Sequence, residues 1–167
     1  MKPFSKNIVF VDTEFSDLDP YKGELLSVGM VKPTGEELYF ELEYDGEYSG
    51  WVTEHILPTL TDPKVSREIA KKKIRDFLGT SQPYLLAFIN QYDDVYMSKL
   101  FIGEEKPYNY MPLDLATILF FNGIDPQGEV EKALGLELPN YREHHALDDA
   151  KWVRDIYLKL LKWSILS

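Results

Sequence analysis

The sequence predicts a single α/β domain with a mixed central sheet flanked by helices. Strand-like segments fill the N-terminal quarter of the chain, and helix-like segments are interleaved with a further buried strand after it. That order is typical of α/β domains in which parallel and antiparallel strands share one sheet. A length of 167 residues with 44% hydrophobic side chains suits one domain over residues 1–167. Such a domain buries about 70% of its unfolded surface.

Three strands are predicted in the N-terminal quarter. Asn7–Asp12 is rich in β-branched and aromatic residues and ends on a charge. Glu24–Lys32 and Glu36–Glu43 follow, joined by a turn at Pro33–Gly35, so the three segments are expected to form a meander. The following segment, 44–62, is rich in glycine, tyrosine and acids and is expected to form a loop.

The rest of the chain is predicted to supply one buried strand and five helices. Tyr84–Ile89 is continuously apolar, which is the pattern of a strand buried on both faces. Asp114 is a suitable N-cap for the helix that follows it, and Pro126 suits a first helical turn. The predicted helices are Lys64–Leu78, Asp93–Phe101, Leu115–Phe121, a short helix from Pro126 to Leu134, and Asp148–Leu161.

Composition excludes several classes of protein. The chain has no cysteine, which rules out disulfides, thiolate zinc sites and a cysteine nucleophile, and which suits a reducing cytoplasmic location. Its longest apolar runs are far shorter than the ~20 residues of a membrane span, and residues 1–12 lack the core of a signal peptide. We therefore expect a cytoplasmic protein with no membrane partner. The sequence also contains no GxSxG, GxxxxGK[ST], GxGxxG or HExxH motif.

The charge is negative and unevenly distributed. The net charge is −10, and residues 36–54 hold seven acids and no base, leaving 21 acids and 18 bases elsewhere. A phosphate backbone is bound by lysine and arginine, so broad and tight duplex binding is not expected. If four acids held two divalent cations, the rest of the chain would be near neutral. A nucleic-acid substrate is therefore compatible with the composition.

Two acids lie at the end of the first predicted strand, on the same face of that strand. Side chains alternate along a strand, so Asp12 and Glu14 point the same way, with Cα atoms about 6.6 Å apart. Two carboxylates at the end of an apolar strand repel each other unless a cation lies between them, and hard cations such as Mg²⁺ take oxygen ligands. A solvated strand end is the alternative interpretation.

Helical spacing selects one aspartate in the last predicted helix. Asp149 shares a stripe with the apolar side chains Val153, Ile156, Leu160 and Trp163, whereas Asp148 falls on a mostly polar face. A carboxylate that faces the core needs a partner such as a metal ion, or it stays protonated. Asp148 is expected to be a solvated acid in the first helical turn. His144 could meet the Asp149 site only from the preceding loop, and a surface pair of His144 and His145 near the helix start is the alternative interpretation.

The same spacing argument favours Asp93 over Asp94 in the segment after the buried strand. Asp93 aligns with Tyr96, Met97 and Leu100, while Asp94 aligns with the polar Ser98. The alternative interpretation is a helix-capping acid. Four inward-facing carboxylates and a nearby histidine suit two-metal hydrolysis of a phosphodiester, in which the histidine takes a proton from water.

Four segments together resemble the DEDDh branch of the DEDD 3′–5′ exonucleases, which have an RNase H-like fold and use two Mg²⁺ or Mn²⁺ ions. They are Asp12–Phe15, Leu25–Val31, Asn90–Asp93 and His144-x-Ala146-x-x-Asp149-Ala150, in that order. The last is the most specific. The Asp-Thr-Glu-Phe opening and the short chain are most similar to small RNase AS-like exoribonucleases.

The resemblance implies which residues carry the chemistry. Asp12, Glu14, Asp93 and Asp149 would bind two Mg²⁺ or Mn²⁺ ions, and His144 would be the general base. The implied activity is metal-dependent 3′–5′ hydrolysis of phosphodiester bonds at single-stranded 3′ ends, with RNA expected ahead of DNA. In the family an asparagine lies four residues before the middle aspartate. Here that spacing points from Asn90 to Asp94, so the two aspartates stay alternatives, with Asp93 preferred.

Other contacts and functions stay open at this stage. Candidate substrate-binding residues are Thr13, Phe15, Leu18 and Asn90, with simple packing as the alternative for Phe15 and Leu18. The six bases within Lys64–Leu78 form either a track for a nucleic-acid backbone or a solvated helix face. A homodimer is expected from the family, with the indoles of Trp51 and Trp152 or the tyrosine-rich loops as candidate interfaces. His55 and His145 are expected to be ordinary polar residues.

The alternative functions are a DNA 3′–5′ exonuclease and a non-catalytic module of the same fold that binds divalent metal or protein.

Overall fold

A six-stranded mixed sheet forms the centre of the protein. The computed structural model describes residues 3–166, with side-chain surroundings through residue 162, so Trp163 of the predicted stripe lies outside the described side chains. The order across the sheet is β4-β3-β2-β1-β5-β6. The pairs β1–β2 and β2–β3 are antiparallel and the other three pairs are parallel, which confirms the predicted meander and the α/β class. The strands are β1 Ile8–Phe15, β2 Leu25–Val31, β3 Glu37–Leu42, β4 Lys64–Val65, β5 Tyr84–Ala87 and β6 Leu113–Asp114.

Helices cover both faces of the sheet. Apolar side chains of the second and third helices pack on one face, and those of the last three helices pack on the other. Among the described residues, no helix combines the length and apolarity that crossing a membrane requires. The helices are α1 Gly50–His55, α2 Arg67–Leu78, α3 Gln91–Leu100, α4 Leu115–Phe121, α5 Val130–Leu134 and α6 Ala146–Leu166, with a 3₁₀ turn at Leu57–Thr59.

Three of the predicted segments have different boundaries in the structure because of local hydrogen bonds. The segment predicted as a loop contains α1, which begins where the Ser49 side chain accepts a hydrogen bond from the Val52 amide. Lys64–Val65 pairs with β3 as a strand, and α2 begins only after the Ser66 side chain caps it. Pro126 precedes α5 by several residues, within a turn that the carbonyl of Asp125 closes. In each case short-range hydrogen bonds that the periodicity does not encode set the boundary.

Strand β1 distributes its side chains between the two helical layers. Val9 and Val11 join the core under α2 and α3, and Ile8 and Phe10 join the core under α4, α5 and α6. Hydrogen bonding to β2 continues to Phe15, beyond the predicted end of the strand. Because side chains alternate along a strand, the acids of β1 continue the α6-facing series and the threonine between them continues the α3-facing series.

Gly29 allows α6 to begin close against the sheet. It lies opposite Asp12 in the β1–β2 register. A Cβ added at Gly29 would lie 2.2 Å from the carbonyl carbon and oxygen of Ala146 and 2.3 Å from the Leu147 amide nitrogen. The missing side chain therefore brings the first turn of α6 directly over the strand pair that carries Asp12.

Replacing Gly29 with Ala should lower the free energy of unfolding by about 2–4 kcal/mol, because the clash is with main-chain atoms that cannot rotate away. In a protein of this size the Tm should fall by about 5–15 °C. Thermal unfolding followed by circular dichroism measures the change. The matched control is Gly50→Ala, since a Cβ at Gly50 would meet nothing within 4 Å. Equal Tm values for the two variants would contradict the close approach.

Candidate active site

An acidic cleft of about 650 Å³ opens at the carboxyl ends of β1 and β5. Its walls come from the end of β1 and the residues after it, from α1, from the start of α3 and from the start of α6. Substrates of sheet proteins commonly bind at the carboxyl ends of parallel strands. The six carboxylates that line the cleft belong to Asp12, Glu14, Asp17, Asp93, Glu143 and Asp149.

Three of these carboxylates converge on one point. Asp12, Glu14 and Asp149 each offer an oxygen, and these oxygens all lie within 4.8 Å of one another. The two β1 acids face α6 because of strand alternation, and Asp149 lies in the first turn of α6, which Gly29 allows close to the sheet. The structure thus joins residues that are more than 130 positions apart in the chain.

Burial and mutual repulsion disfavour the charged forms of these acids. Burial, followed by repulsion from Asp93, Glu14 and Asp149, raises the pKa of Asp12 well above its usual range. Burial and the charges of Asp149 and Asp93 raise the pKa of Glu14 to about 8, and burial raises the pKa of Asp149 to about 7. A hard divalent cation takes carboxylate oxygens as ligands and would hold such a cluster ionised. The donor set therefore fits Mg²⁺ or Mn²⁺.

Asp93 joins the same cleft from the first turn of α3. It is buried, and its Oδ1 atom accepts a hydrogen bond from the Thr13 hydroxyl at 2.8 Å. Burial raises the pKa of Asp93 to about 7, although hydrogen bonds from Thr13 oppose the rise. Asp94 is not among the residues that line the cleft. The structure thus places Asp93, the aspartate that the helical spacing favours, in the cleft. The hydrogen bond from Thr13 holds its carboxylate.

His144 lies at the edge of the cleft, in the loop before α6. Its backbone is left-handed, with φ of 57°, and its carbonyl accepts a hydrogen bond from the Thr59 hydroxyl at 2.7 Å. Its imidazole meets the Trp51 indole edge-on, with ring centroids 5.0 Å apart. A non-glycine residue in the left-handed region is uncommon and is held by its surroundings. These contacts orient the imidazole at the rim of the carboxylate cluster.

The other candidate substrate contacts divide into exposed and packed side chains. Leu18 lines the cleft and is 63% exposed, whereas the ring of Phe15 stacks on that of Tyr96 with centroids 4.4 Å apart. Asn90 is buried outside the cleft lining, and its amide donates hydrogen bonds to the carbonyls of Leu85 and Leu113. Asn90 thus holds β5 and β6 together at the end nearest the cleft.

Asp114 caps α4 as predicted and also supports the cleft. Its carboxylate accepts hydrogen bonds from the amides of Ala116 and Thr117. It accepts a further hydrogen bond from the amide of Ile89 at 2.9 Å. Ile89 lines the cleft with a left-handed backbone, φ of 57°. Asp114 therefore ties the strained turn between β5 and α3 to the start of α4.

Two expectations for the start of α6 were wrong. His145 is only 5% exposed and stacks on the ring of Tyr39 at 4.5 Å, because α6 lies so close to the sheet that this side chain is enclosed. Asp148 accepts a hydrogen bond from Arg142 Nε at 2.8 Å instead of being simply solvated. Burial opposes the charge of Asp148, but the hydrogen bonds from Arg142 prevail and lower its pKa.

Three aromatic side chains that line the cleft were not predicted to lie there. Trp51 lines it and is 52% exposed, with the ring of His55 stacked on it at 4.8 Å. Tyr92 and Trp152 also line the cleft. The indole of Trp152 donates a hydrogen bond to Glu131 and is only partly exposed, so it is not the free interface residue that was predicted. The shared signal, aromatic residues within a few positions of the candidate acids, is too common in sequences to select them.

Comparisons with known proteins identify the fold. No protein-family model matches the sequence, and no curated protein matches it. The zinc-bound complex of E. coli exonuclease I with single-stranded DNA superposes with a TM-score of 0.69 at 17% identity, covering 94% of this chain and 40% of that chain. Its complex with a dT13 oligonucleotide gives a TM-score of 0.68 at 17% identity, with 93% and 40% covered. Its complex with a dA16 oligonucleotide gives 0.66 at 16% identity, with 92% and 40% covered.

The likeness extends over nearly all of this chain but over less than half of the exonuclease I chain. At this level of identity the shared property is the architecture, a mixed six-stranded sheet between helical layers. The chain therefore has the RNase H-like fold that exonuclease I also has.

Proposed function

We propose that the chain is a metal-dependent 3′–5′ exonuclease of the DEDD superfamily, in its DEDDh branch, acting on single-stranded ends. The observation that carries the proposal is the convergence of Asp12, Glu14 and Asp149, with oxygens within 4.8 Å of one another, beside Asp93 and His144 in one cleft. Two strand acids and two helix-start acids have no structural need to share a cleft. Cation binding provides a reason for their arrangement.

Single-stranded DNA is the better-supported substrate. The structurally similar E. coli exonuclease I structures were solved with single-stranded DNA, dT13 and dA16. RNA, the substrate expected first, is supported by the resemblance of Asp12–Phe15 to RNase AS-like exoribonucleases. The contact that would distinguish a ribose from a deoxyribose is one to the 2′-hydroxyl. A direct comparison of the two substrates therefore belongs in the first assay.

The side chains have distinct roles in this mechanism. Asp12, Glu14, Asp93 and Asp149 would hold two Mg²⁺ or Mn²⁺ ions, which, when bound, stabilise the charge that develops on the phosphate. His144, held by Thr59 and Trp51, takes the proton from the attacking water.

The walls of the cleft would receive the terminal bases. Leu18 and Trp51 are exposed within the cleft and offer apolar surface to them. Stacking of a base on the aromatic ring of Trp51 is worth about 1–3 kcal/mol. Thr13 contributes by holding the Asp93 carboxylate rather than by touching the substrate.

A gel time course tests the proposal. Single-stranded DNA and RNA of matched sequence, labelled at the 5′ end, are incubated with the protein in Mg²⁺, Mn²⁺ or EDTA. We expect a ladder that shortens from the 3′ end, requires metal and is faster with DNA. A faster ladder with RNA would reverse the substrate assignment. Folded protein that binds Mn²⁺ but leaves every strand intact would favour the non-catalytic metal-binding module.

Replacing His144 with Ala should lower kcat by about 10²–10⁴-fold, the usual contribution of a general base. Mn²⁺ binding, measured by calorimetry, should stay near the wild-type affinity, because His144 is not among the carboxylates that converge on the cation site. His55→Ala is the matched control and should lose far less activity than His144→Ala, since His55 stacks on Trp51 but does not itself line the cleft. Equal losses in the two variants would remove His144 from the mechanism.

A further inference from the structure

The surroundings of the cation site are acidic or apolar. Of the eighteen residues that line the cleft, six are carboxylates and nine are apolar or aromatic. Two divalent cations would balance the four proposed ligands. Asp17 and Glu143 also line the cleft and add negative charge beyond these four.

The segment that leads into and through α1 extends this negative surface. In the sequence, its exposed acids lie on either side of Ser49 and Trp51, which line the cleft. Glu54 follows Trp51 by three residues on α1 and therefore lies on a neighbouring part of the helix surface. The exposed acids of this rim are Glu43, Asp45, Glu47 and Glu54.

The basic helix α2, predicted as one possible track for a nucleic-acid backbone, is largely neutralised by the protein itself. Arg67 pairs with Glu24 at 2.8 Å, and Lys72 pairs with Asp76 at 2.5 Å. Lys71 and Arg75 both pair with Glu104, at 2.6 and 2.7 Å. No residue of α2 is among those that line the cleft within the described part of the chain.

Arg142 is the basic residue next to the cleft-lining Glu143, and it too is engaged. Its Nε atom donates to Asp148 at 2.8 Å.

A cleft of about 650 Å³ falls within the ~300–1,000 Å³ of sites that enclose one small molecule. Such a volume suits the last one or two nucleotides of a strand.

We propose that this chain acts on short oligonucleotides and grips only the terminal nucleotides of any longer strand; the proposal rests on the exonuclease activity proposed above. Polynucleotide affinity ordinarily grows with each phosphate that a lysine or arginine contacts, and salt then weakens it steeply. Here the phosphates beyond the cleft meet the acids of the rim. Extra length therefore adds repulsion instead of affinity.

Length and salt dependence test the proposal. KM and kcat are measured in saturating Mg²⁺ on single-stranded DNA and RNA from dinucleotides to strands of about 20 nucleotides. We expect kcat/KM to be highest for the shortest strands. We also expect KM for the longest strand to change less than about twofold, or to fall, between about 50 and 200 mM NaCl. A protein with six to ten phosphate contacts would instead lose about 10³–10⁵ in affinity over that range.

Charge reversal on the rim gives a second readout. Glu47→Lys with Glu54→Lys should lower KM for the long strand about tenfold at low salt and make it salt-dependent, while KM for a dinucleotide stays within about twofold. The matched control is Glu105→Lys with Glu137→Lys, which changes the net charge equally. Glu105 contacts Gln82 at the opposite end of β5. Glu137 lies in the loop after Gly135, whose carbonyl contacts Lys159, about 15 Å along α6 from Asp149.

The outcomes separate this proposal from the activity on which it rests. Hydrolysis that becomes steadily more efficient with length and falls steeply with salt would overturn the short-substrate inference and leave the exonuclease proposal intact. Equal effects of the rim and control reversals on the long strand would also overturn it. Folded, metal-binding protein that hydrolyses no phosphodiester of any length would overturn both proposals.

Discussion

Replacing Asp12 with Asn should lower strand hydrolysis by about a thousandfold or more and should also raise the Tm of the metal-free protein. The loss follows because Asp12 belongs to the group of converging carboxylates and interacts with all three of the other proposed metal ligands. The gain in stability follows because the amide removes a buried carboxylate whose ionisation three neighbouring acids oppose. A metal ligand is expected to behave in this way, because it is needed for activity but destabilises the metal-free protein.

Initial rates, Mn²⁺ titration and thermal unfolding in EDTA measure the two effects. Asp148→Asn is the control, because its Tm in EDTA is expected to change in the opposite direction. Its carboxylate is held by Arg142, and hydrogen bonding lowers its pKa, so its removal should lower the Tm of the metal-free protein. If Asp12→Asn retains more than a few per cent of the activity, or unfolds at a lower temperature than the wild type in EDTA, the assignment fails.

The metal-free protein should lose stability as the pH rises from about 4 to about 8. The pKa values of Glu14, Asp93 and Asp149 lie at about 8, 7 and 7 in the folded chain, chiefly because of burial. In the unfolded chain such groups titrate near pH 4. Between these values the folded state binds more protons than the unfolded state, so the free energy of unfolding falls as the pH increases. The contribution is fully present below about pH 4 and is lost by about pH 8.

Divalent cations should reverse this loss. A cation that binds only the folded state stabilises it by about 2.7 kcal/mol at a hundred times its dissociation constant, and its carboxylate ligands bind it best when ionised. Thermal unfolding is therefore measured across this pH range in EDTA and in Mg²⁺. Glu14→Gln should flatten the profile in EDTA and weaken the response to Mg²⁺. Wild-type and Glu14→Gln profiles of equal slope would contradict the raised pKa of Glu14.

Local periodicity in the sequence explains why part of the candidate site could be predicted. Strand alternation places Asp12 and Glu14 on one face, and helical spacing separates Asp149 from Asp148 and Asp93 from Asp94. These are local periodicities, so the sequence contains them whatever the rest of the fold does. The apolar run from Tyr84 likewise predicted a strand buried on both faces, and β5 occupies that position.

Other features depend on which surfaces meet. Trp51 enters the cleft because α1 and its Ser49 cap form in a segment whose composition indicated a loop. His145 is buried because Gly29 admits α6 close to the sheet. The bases of α2 are neutralised by partners as distant as Glu24 and Glu104. The approach of α6 to Gly29 and the ion pairs of α2 join segments far apart in sequence, so no local pattern records them.

The sequence by itself determined the α/β class and the absence of cysteine chemistry, and it predicted the candidate carboxylates, with Asp93 preferred over Asp94. Only the tertiary structure decided that these carboxylates share one cleft, that His144 is held in its lining and that four basic side chains of α2 lie in ion pairs away from it. The physical reason is that periodicity fixes the direction of a side chain relative to its own strand or helix. The distance between two such side chains is set by the packing of whole elements, here at the close approach of α6 to Gly29.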